Sequence, residues 1–276
     1  MTVTLIRKTV SLKNIELFVL DTETEGPAIV CLHGRWGRGE TWADLMRRYG
    51  ERYRVIAPDQ RGHGLSGKPI SRYTAEEMAE DVIGLLDVLG IESCVLIGHS
   101  MGGQIAAHAA ALHPRRIDKV AVLDKTPEGP PVRIDVLPED IPPVDPLTGD
   151  WPLPFSDKAQ ARRFMRRALD HESAVDYFMN SLIETPDGYR MMFGAQAVAA
   201  NIAYNVDWYE RLAEISCPVL LVRARDGDNM PDEVWAKAQS RIADCTAREM
   251  PGADHNVHIS DPERFYAFVD EFLSAD

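Results

Sequence analysis

The stretch LIGHSMGGQ, residues 96–104, decides how this chain is read. Cys94, Val95, Leu96 and Ile97, which lead into it, are an apolar run with the character of a buried strand. After it, small and apolar residues recur at helical spacing until Pro114. Gly98-His99-Ser100-Met101-Gly102 is therefore a G-x-S-x-G pattern on a strand-to-helix turn. On such a turn the serine adopts a strained backbone and presents its hydroxyl, while the glycines remove side chains that would clash. The competing reading is an ordinary tight turn in which Ser100 caps the helix. A nucleophile needs a base, an acid and oxyanion donors from elsewhere in the chain.

Outward from this turn, strands and helices alternate. Val3 to Arg7 and Ile15 to Leu20 form an opening hairpin, and AIVCLHG (28–34) is a continuous apolar strand. Thr41 to Arg48 is a helix, and YRVIAPDQRGHG (53–64) is a strand running into a loop. TAEEMAEDVIGLLDVLG (74–90) is a helix with Thr74 as cap, Glu77 completing a capping box and Gly90 as stop. KVAVLD (119–124), PVLLVRA (218–224) and TAREMPG (246–252) are further strands, with helices over 231–242 and 262–274. Strands that are apolar throughout imply a mostly parallel sheet covered on both faces. Residues 127–213 break the rhythm with a proline-rich passage and then helical segments, DKAQARRFMRRALDHESAVDYFMNSLI (157–183) among them. This is expected to be a cap inserted into a core formed by residues 1–126 and 214–276. The Arg162, Arg163, Arg166 and Arg167 cluster reads as a solvated helix face.

Composition narrows the function. With 276 residues, 45% hydrophobic and 26% charged, the chain is an ordinary globular protein. Its net charge of −13 argues against nucleic-acid binding, which depends on neutralising phosphates. No run approaches the ~20 apolar residues of a membrane span and no signal sequence is evident, so a cytoplasmic location is expected. The four cysteines are scattered, with no C-x-x-C pair, and suggest neither a zinc site nor a disulfide framework. The expected partner is a small-molecule substrate, with no cofactor and no metal.

His255, in MPGADHNVHISDPERF (250–265), is the best base, because it lies between the last strand and the last helix. A parallel sheet brings the C-terminal ends of its strands to one edge, where this loop reaches the serine turn. His258 is its local competitor.

HGRWG (33–37), DQRGHGLS (59–66), GHSMGG (98–103) and GADHNVHISDPERF (252–265), in that order, resemble the motifs of the α/β-hydrolases of the esterase, lactonase and carbon–carbon hydrolase group. The resemblance spans both halves of the core. It implies an eight-stranded, mostly parallel sheet with a helical cap after the sixth strand. It also implies that the backbone N–H groups of Arg35 and Met101 form the oxyanion hole. The Arg35 side chain or Trp36 could then reach a substrate carboxylate or ring, the alternative for Arg35 being a solvent-facing loop residue. Arg61 and His63 anchor loops. The family's usual acid follows the seventh strand in a G-x-x-D pattern. In RARDGDNMP (223–231), however, Ala224 holds the glycine slot and Gly227 the acid slot. Some relatives carry the acid at the end of the sixth strand, so Asp124 is preferred, then Asp228, then Asp226. Trp36, Trp151 and Phe155 are candidate substrate contacts; cap aromatics such as Phe164, Tyr177 and Phe178 equally suit a core within the cap.

The implied activity is cleavage of a carboxylic ester or lactone by Ser100, His255 and an aspartate through an acyl-enzyme. Carbon–carbon bond hydrolysis, cofactor-independent oxygenation or perhydrolysis, and ligand reception by a protein that keeps the triad are the alternatives.

Overall fold

The computed structural model describes residues 3–275. In chain order the first half contains β1 (Ile6–Ser11), β2 (Glu16–Asp21), β3 (Ala28–Leu32), α1 (Ala43–Tyr49), β4 (Arg54–Pro58), α2 (Ala75–Val88), β5 (Cys94–His99), α3 (Met101–Leu112) and β6 (Ile117–Leu123). Between β6 and the next strand of the main sheet come α4 (Lys158–Ala168), α5 (Glu172–Met179), β7 (Leu182–Thr185), β8 (Gly188–Met191), α6 (Ala195–Ala203) and α7 (Tyr209–Ala213). The chain closes with β9 (Val219–Ala224), α8 (Asp232–Arg241), β10 (Cys245–Met250), α9 (Val257–Ser260) and α10 (Pro262–Ser274).

Eight strands form one sheet in the order β1-β2-β4-β3-β5-β6-β9-β10. The β1–β2 and β2–β4 pairs are antiparallel and the others parallel. The apolar runs are continuous because both faces are covered. Along β5, Cys94 and Leu96 face one core with side chains of α2, α3 and α8, while Val95 and Ile97 face the other with α1 and α10. Residues β3, β6 and β9 divide between the two cores in the same alternation.

Three local expectations shift. The first strand begins at Ile6, and its register (Ile6 opposite Asp21, Ser11 opposite Glu16) puts the turn at residues 12–15. Thr74 caps α2 as expected, but Glu77 accepts the N–H of Tyr73 (2.8 Å) instead of that of Thr74. The segment expected to be helical through Ile183 leaves the helix at Met179, and Leu182–Thr185 pairs with Gly188–Met191. The turn TPDG (185–188) explains this: its Pro-Asp-Gly sequence favours a hairpin, and Gly188 sits at φ +131.

The segment between β6 and β9 divides by packing. Phe155, Ala161, Met165, Val175, Phe178 and Leu182 make a separate small core. Ala197, Ala200, Tyr204 and Leu212, from α6, its C-cap and α7, join the main one. Arg162 and Arg166 of α4 pair with Glu172 at the start of α5, a solvated ion-pair face.

The junction between β5 and α3 brings backbone against backbone. A Cβ on Gly102 would lie 2.3 Å from the Leu32 carbonyl oxygen, and one on Gly98 would lie 2.2 Å from the Gly102 carbonyl oxygen. Gly90, at φ +67, has no atom within 4 Å of such a Cβ. Gly102→Ala is thus expected to destabilise the fold by about 3 kcal/mol or more in urea unfolding, because backbone must move. Gly90→Ala should cost only about 1–2 kcal/mol, the left-handed penalty alone. Equal losses would mean that the elbow tolerates a side chain.

Candidate active site

Ser100 has φ +52 and ψ −118, outside the usual basins for a residue with a side chain. Tertiary bonds hold it there. Its N–H donates to the Leu123 carbonyl at 2.8 Å, and its carbonyl accepts from Gly103 N (2.9 Å) and Gln104 N (3.1 Å). The Ser100 hydroxyl makes no capping bond to α3, which removes the helix-cap reading. Met101 is the first residue of that helix, where backbone N–H groups lack intrahelical acceptors. The loop after β3 comes up against this turn: a Cβ on Gly34 would be 3.1 Å from Ser100 Cβ.

Of the three candidate acids, Asp124 reaches the histidine. His255 Nδ1 lies 2.6 Å from Asp124 Oδ2. Asp124 is 1% exposed and follows the end of β6 at φ +47. Ala224 N–H donates to its Oδ1 at 2.9 Å, and Asn229 Nδ2 donates to its Oδ2 at 3.3 Å. The departure from G-x-x-D thus has a structural counterpart: the β9 end that lacks an aspartate in the usual slot supplies two donors to Asp124. Asp226 accepts the Gly252 N–H at 2.8 Å.

Ser100 and His255 line one cavity of about 480 Å³, together with Arg35, Trp36, Asp226 and Asp228. The segment between β6 and β9 contributes Leu147, Leu169, His171, Ala174, Tyr177 and Phe178 to its wall. Trp151 and Phe155 are not brought to it. Phe155 is fully buried in the small cap core, and Trp151 packs on Phe164 and Phe178 with ring centroids 5.5 and 5.0 Å apart. Trp36 donates its Nε1–H to Asp145 at 2.8 Å. Asp254, on the loop that carries His255, bonds Ser173 and so ties that loop to α5.

Residues 29–268 match the model of an alpha/beta hydrolase family. The chain belongs to the alpha/beta hydrolase family. It is 29% identical over 252 residues to a 2-(acetamidomethylene)succinate hydrolase of Mesorhizobium japonicum, covering 91% of this chain and 89% of that one. It is 26% identical over 262 residues to the esterase YbfF of Escherichia coli, covering 95% and 98%. Among solved structures, an E-2-(acetamidomethylene)succinate hydrolase superposes with a TM-score of 0.85 at 26% identity, covering 99% of this chain and 100% of that one. The enol-lactonase of Burkholderia xenovorans shares the fold, with a TM-score of 0.74 at 23% identity, covering 97% and 100%.

Beneath the cavity of this alpha/beta hydrolase lies a group of buried histidines. His99 Nε2–H donates to the His255 carbonyl at 2.8 Å, linking the serine strand to the histidine loop. His33 accepts the Gln60 N–H on Nε2 (2.9 Å) and packs edge-on to His63 at 5.1 Å. His258, the competitor of His255, is buried and stacked on Trp42 at 4.4 Å, and neither ring nitrogen has a partner. Arg61 pairs with Asp81 and Glu77, consistent with loop anchoring. Sequence reasoning named Tyr177 and Phe178 among aromatics that could line the pocket or form a local core, and both line the cavity; it missed His99, Asn229 and Asp254, of which His99 sits inside the decisive motif while no local pattern marks the other two.

Burial depresses these histidines: His33 falls from 6.5 to about 4, and His63 and His258 to about 3, with neighbouring imidazoles adding to the last two. In the unfolded chain they titrate near 6.5. Their contribution to stability is therefore complete above about pH 6.5 and is lost as pH falls toward the folded values, by up to ~1.4 kcal/mol per pH unit for each group. Unfolding free energy measured by urea titration should fall near pH 5 with a slope of at least about two protons. His258→Phe, which has no hydrogen bond to lose, should take about one proton off that slope. A flat profile between pH 6.5 and 5 would show that these rings are already charged in the fold.

Proposed function

We propose that the chain is a serine hydrolase that cleaves a carboxylic ester or lactone of a small organic molecule through an acyl-enzyme. The observation that carries this reading is the 2.6 Å contact between His255 Nδ1 and Asp124, on a histidine that shares its cavity with the strained Ser100.

In this reading Ser100 Oγ attacks the carbonyl carbon as His255 Nε2 takes its proton. Asp124 accepts the Nδ1–H bond, fixes the tautomer and stabilises the imidazolium. The backbone N–H groups of Arg35 and Met101 bind the oxygen that gains charge. The tetrahedral intermediate collapses, His255 protonates the departing alkoxide, and the acyl group remains on Ser100. Water, deprotonated by the same imidazole, then releases the acid and restores the serine. Every proton taken by His255 is returned, so one water is consumed for each bond cleaved. Residues 127–213 act as the cap over a core of 1–126 and 214–276, and their side chains set specificity.

A second reading, cleavage of an acylated nitrogen, is favoured by the Mesorhizobium relative, whose named substrate carries an acetamido group. Matched p-nitrophenyl esters and p-nitroanilides separate the two by turnover rate.

Ser100→Ala should lower kcat on p-nitrophenyl esters by several powers of ten at an unchanged melting temperature, leaving residual catalysis of roughly 10³-fold over water. Asp124→Asn should lose on the order of 10³–10⁴ in kcat, and Asp228→Asn and Asp226→Asn at least about a hundredfold less. Melting temperatures measured alongside separate a lost tautomer from a lost bond to Ala224. Near-wild-type turnover by Ser100→Ala would reject the nucleophile.

A further inference from the structure

Buried guanidinium groups in this protein face carboxylates. Arg61 meets Asp81 and Glu77, Arg223 meets Asp232 and Glu249, and Arg38 lies 3.7 Å from Asp59. Arg35, which is partly buried, departs from that rule. Its Nε and Nη2 donate to Asn201 Oδ1 at 3.1 and 2.8 Å, a neutral acceptor, and it lies 5.5 Å from the Trp36 ring. It forms no ion pair among the described residues. The carboxylate that acts on it most, Asp145, is already engaged by Trp36 Nε1, by Leu147 N (3.0 Å) and by Thr148.

A second cation feels its charge. Lys125 follows Asp124 in the chain and, among the described residues, makes neither an ion pair nor a hydrogen bond. Burial lowers Lys125 to about 8, with the charge of Arg35 adding to the fall, and burial lowers Arg35 to about 10. Two partly buried cations that disfavour each other gain when an anion arrives to compensate them. In a protein of net charge −13, this local excess of positive charge is not a reflection of composition.

Arg35 lines the Ser100 cavity, whereas the acidic residues on its wall, Asp226, Asp228 and Asp254, belong to the loops after β9 and β10. The cavity therefore carries opposite charges on different loops, which orients an anionic substrate toward the loop after β3. We propose that Arg35, backed by Lys125, receives a carboxylate of the substrate, so that the molecule cleaved at Ser100 is a carboxylate-bearing ester or lactone. The proposal rests on the cavity being the substrate site and adds the chemical class of its occupant.

Glutarate is a suitable probe, with its neutral analogue glutaramide as control, and binding is followed by calorimetry on the whole protein. Glutarate should bind wild type at least about tenfold tighter than glutaramide. Arg35→Gln should weaken glutarate about tenfold or more and Lys125→Gln several-fold, while Arg35→Lys keeps part of the affinity. The ratio of kcat/KM for monoethyl glutarate to that for ethyl valerate should exceed one in wild type and collapse in Arg35→Gln. Equal glutarate affinity in wild type and both glutamine variants at matched melting temperatures overturns the proposal, as does the absence of binding. If glutarate binds through Arg35 but neither ester is cleaved, the hydrolase reading fails and the anion site stands. If esters are cleaved in a Ser100-dependent manner without preference for the charged one, only the anion site fails.

Discussion

The architecture depends on one constraint, the left-handed backbone of Ser100. A residue with a side chain at φ +52 stays there only if its surroundings leave no alternative. Here the bond from its N–H to the Leu123 carbonyl fixes one side. The absence of side chains at Gly98 and Gly102 lets α3 close against β5 and β3 on the other. Those contacts require β3, β5 and β6 to be neighbours, which the sheet order provides. The two apolar cores on either face of the sheet therefore supply the energy that holds the serine in its unfavourable conformation.

The same strand ends organise the acid and the histidine. Asp124 leaves β6 beside the end of β9, so the Ala224 N–H meets its Oδ1, while Oδ2 faces both the Asn229 amide and His255. Solvating a buried carboxylate with donors from a neighbouring strand stabilises it without a positive charge. His99 extends this order to the histidine loop by donating to the backbone of His255. The loop is braced a second time by the Asp254–Ser173 contact with α5. The segment between β6 and β9 thus meets the main sheet at the residues that the proposed chemistry uses, and a shift of α5 would be felt at His255.

Charge is distributed unevenly around this centre. The surface is acidic overall, yet the interior near Ser100 contains neutral histidines and, on the cavity wall, a guanidinium with a neutral partner. Burial makes both features sensitive: it disfavours the charged form of the histidines and of Arg35 and Lys125 alike.

Much of this was legible in the chain. The apolar runs ending at Leu32, His99, Leu123 and Ala224 specify parallel strands, because only strands covered on both faces are apolar at every position. The glycines around Ser100 specify a turn that no bulkier residue allows, and the spacing of four motifs identifies the family. The helix stop at Gly90 and the break into a cap after β6 are local signals of the same kind. Other features depend on residues far apart in sequence. Asp124 was preferred over Asp228 and Asp226 only by comparison of motifs. Its contact with His255 bridges 131 positions and exists because β6 and β9 are adjacent. Trp151, Phe155 and Tyr177 are all cap aromatics, and nothing in their local sequence separates them. Packing sent the first two to the cap core and its edge and turned Tyr177 toward Gly34 and Gly37. The pairing of Arg35 with the neutral Asn201 is likewise invisible in a sequence with 43 acidic residues, because the acceptor a guanidinium meets is chosen by the fold.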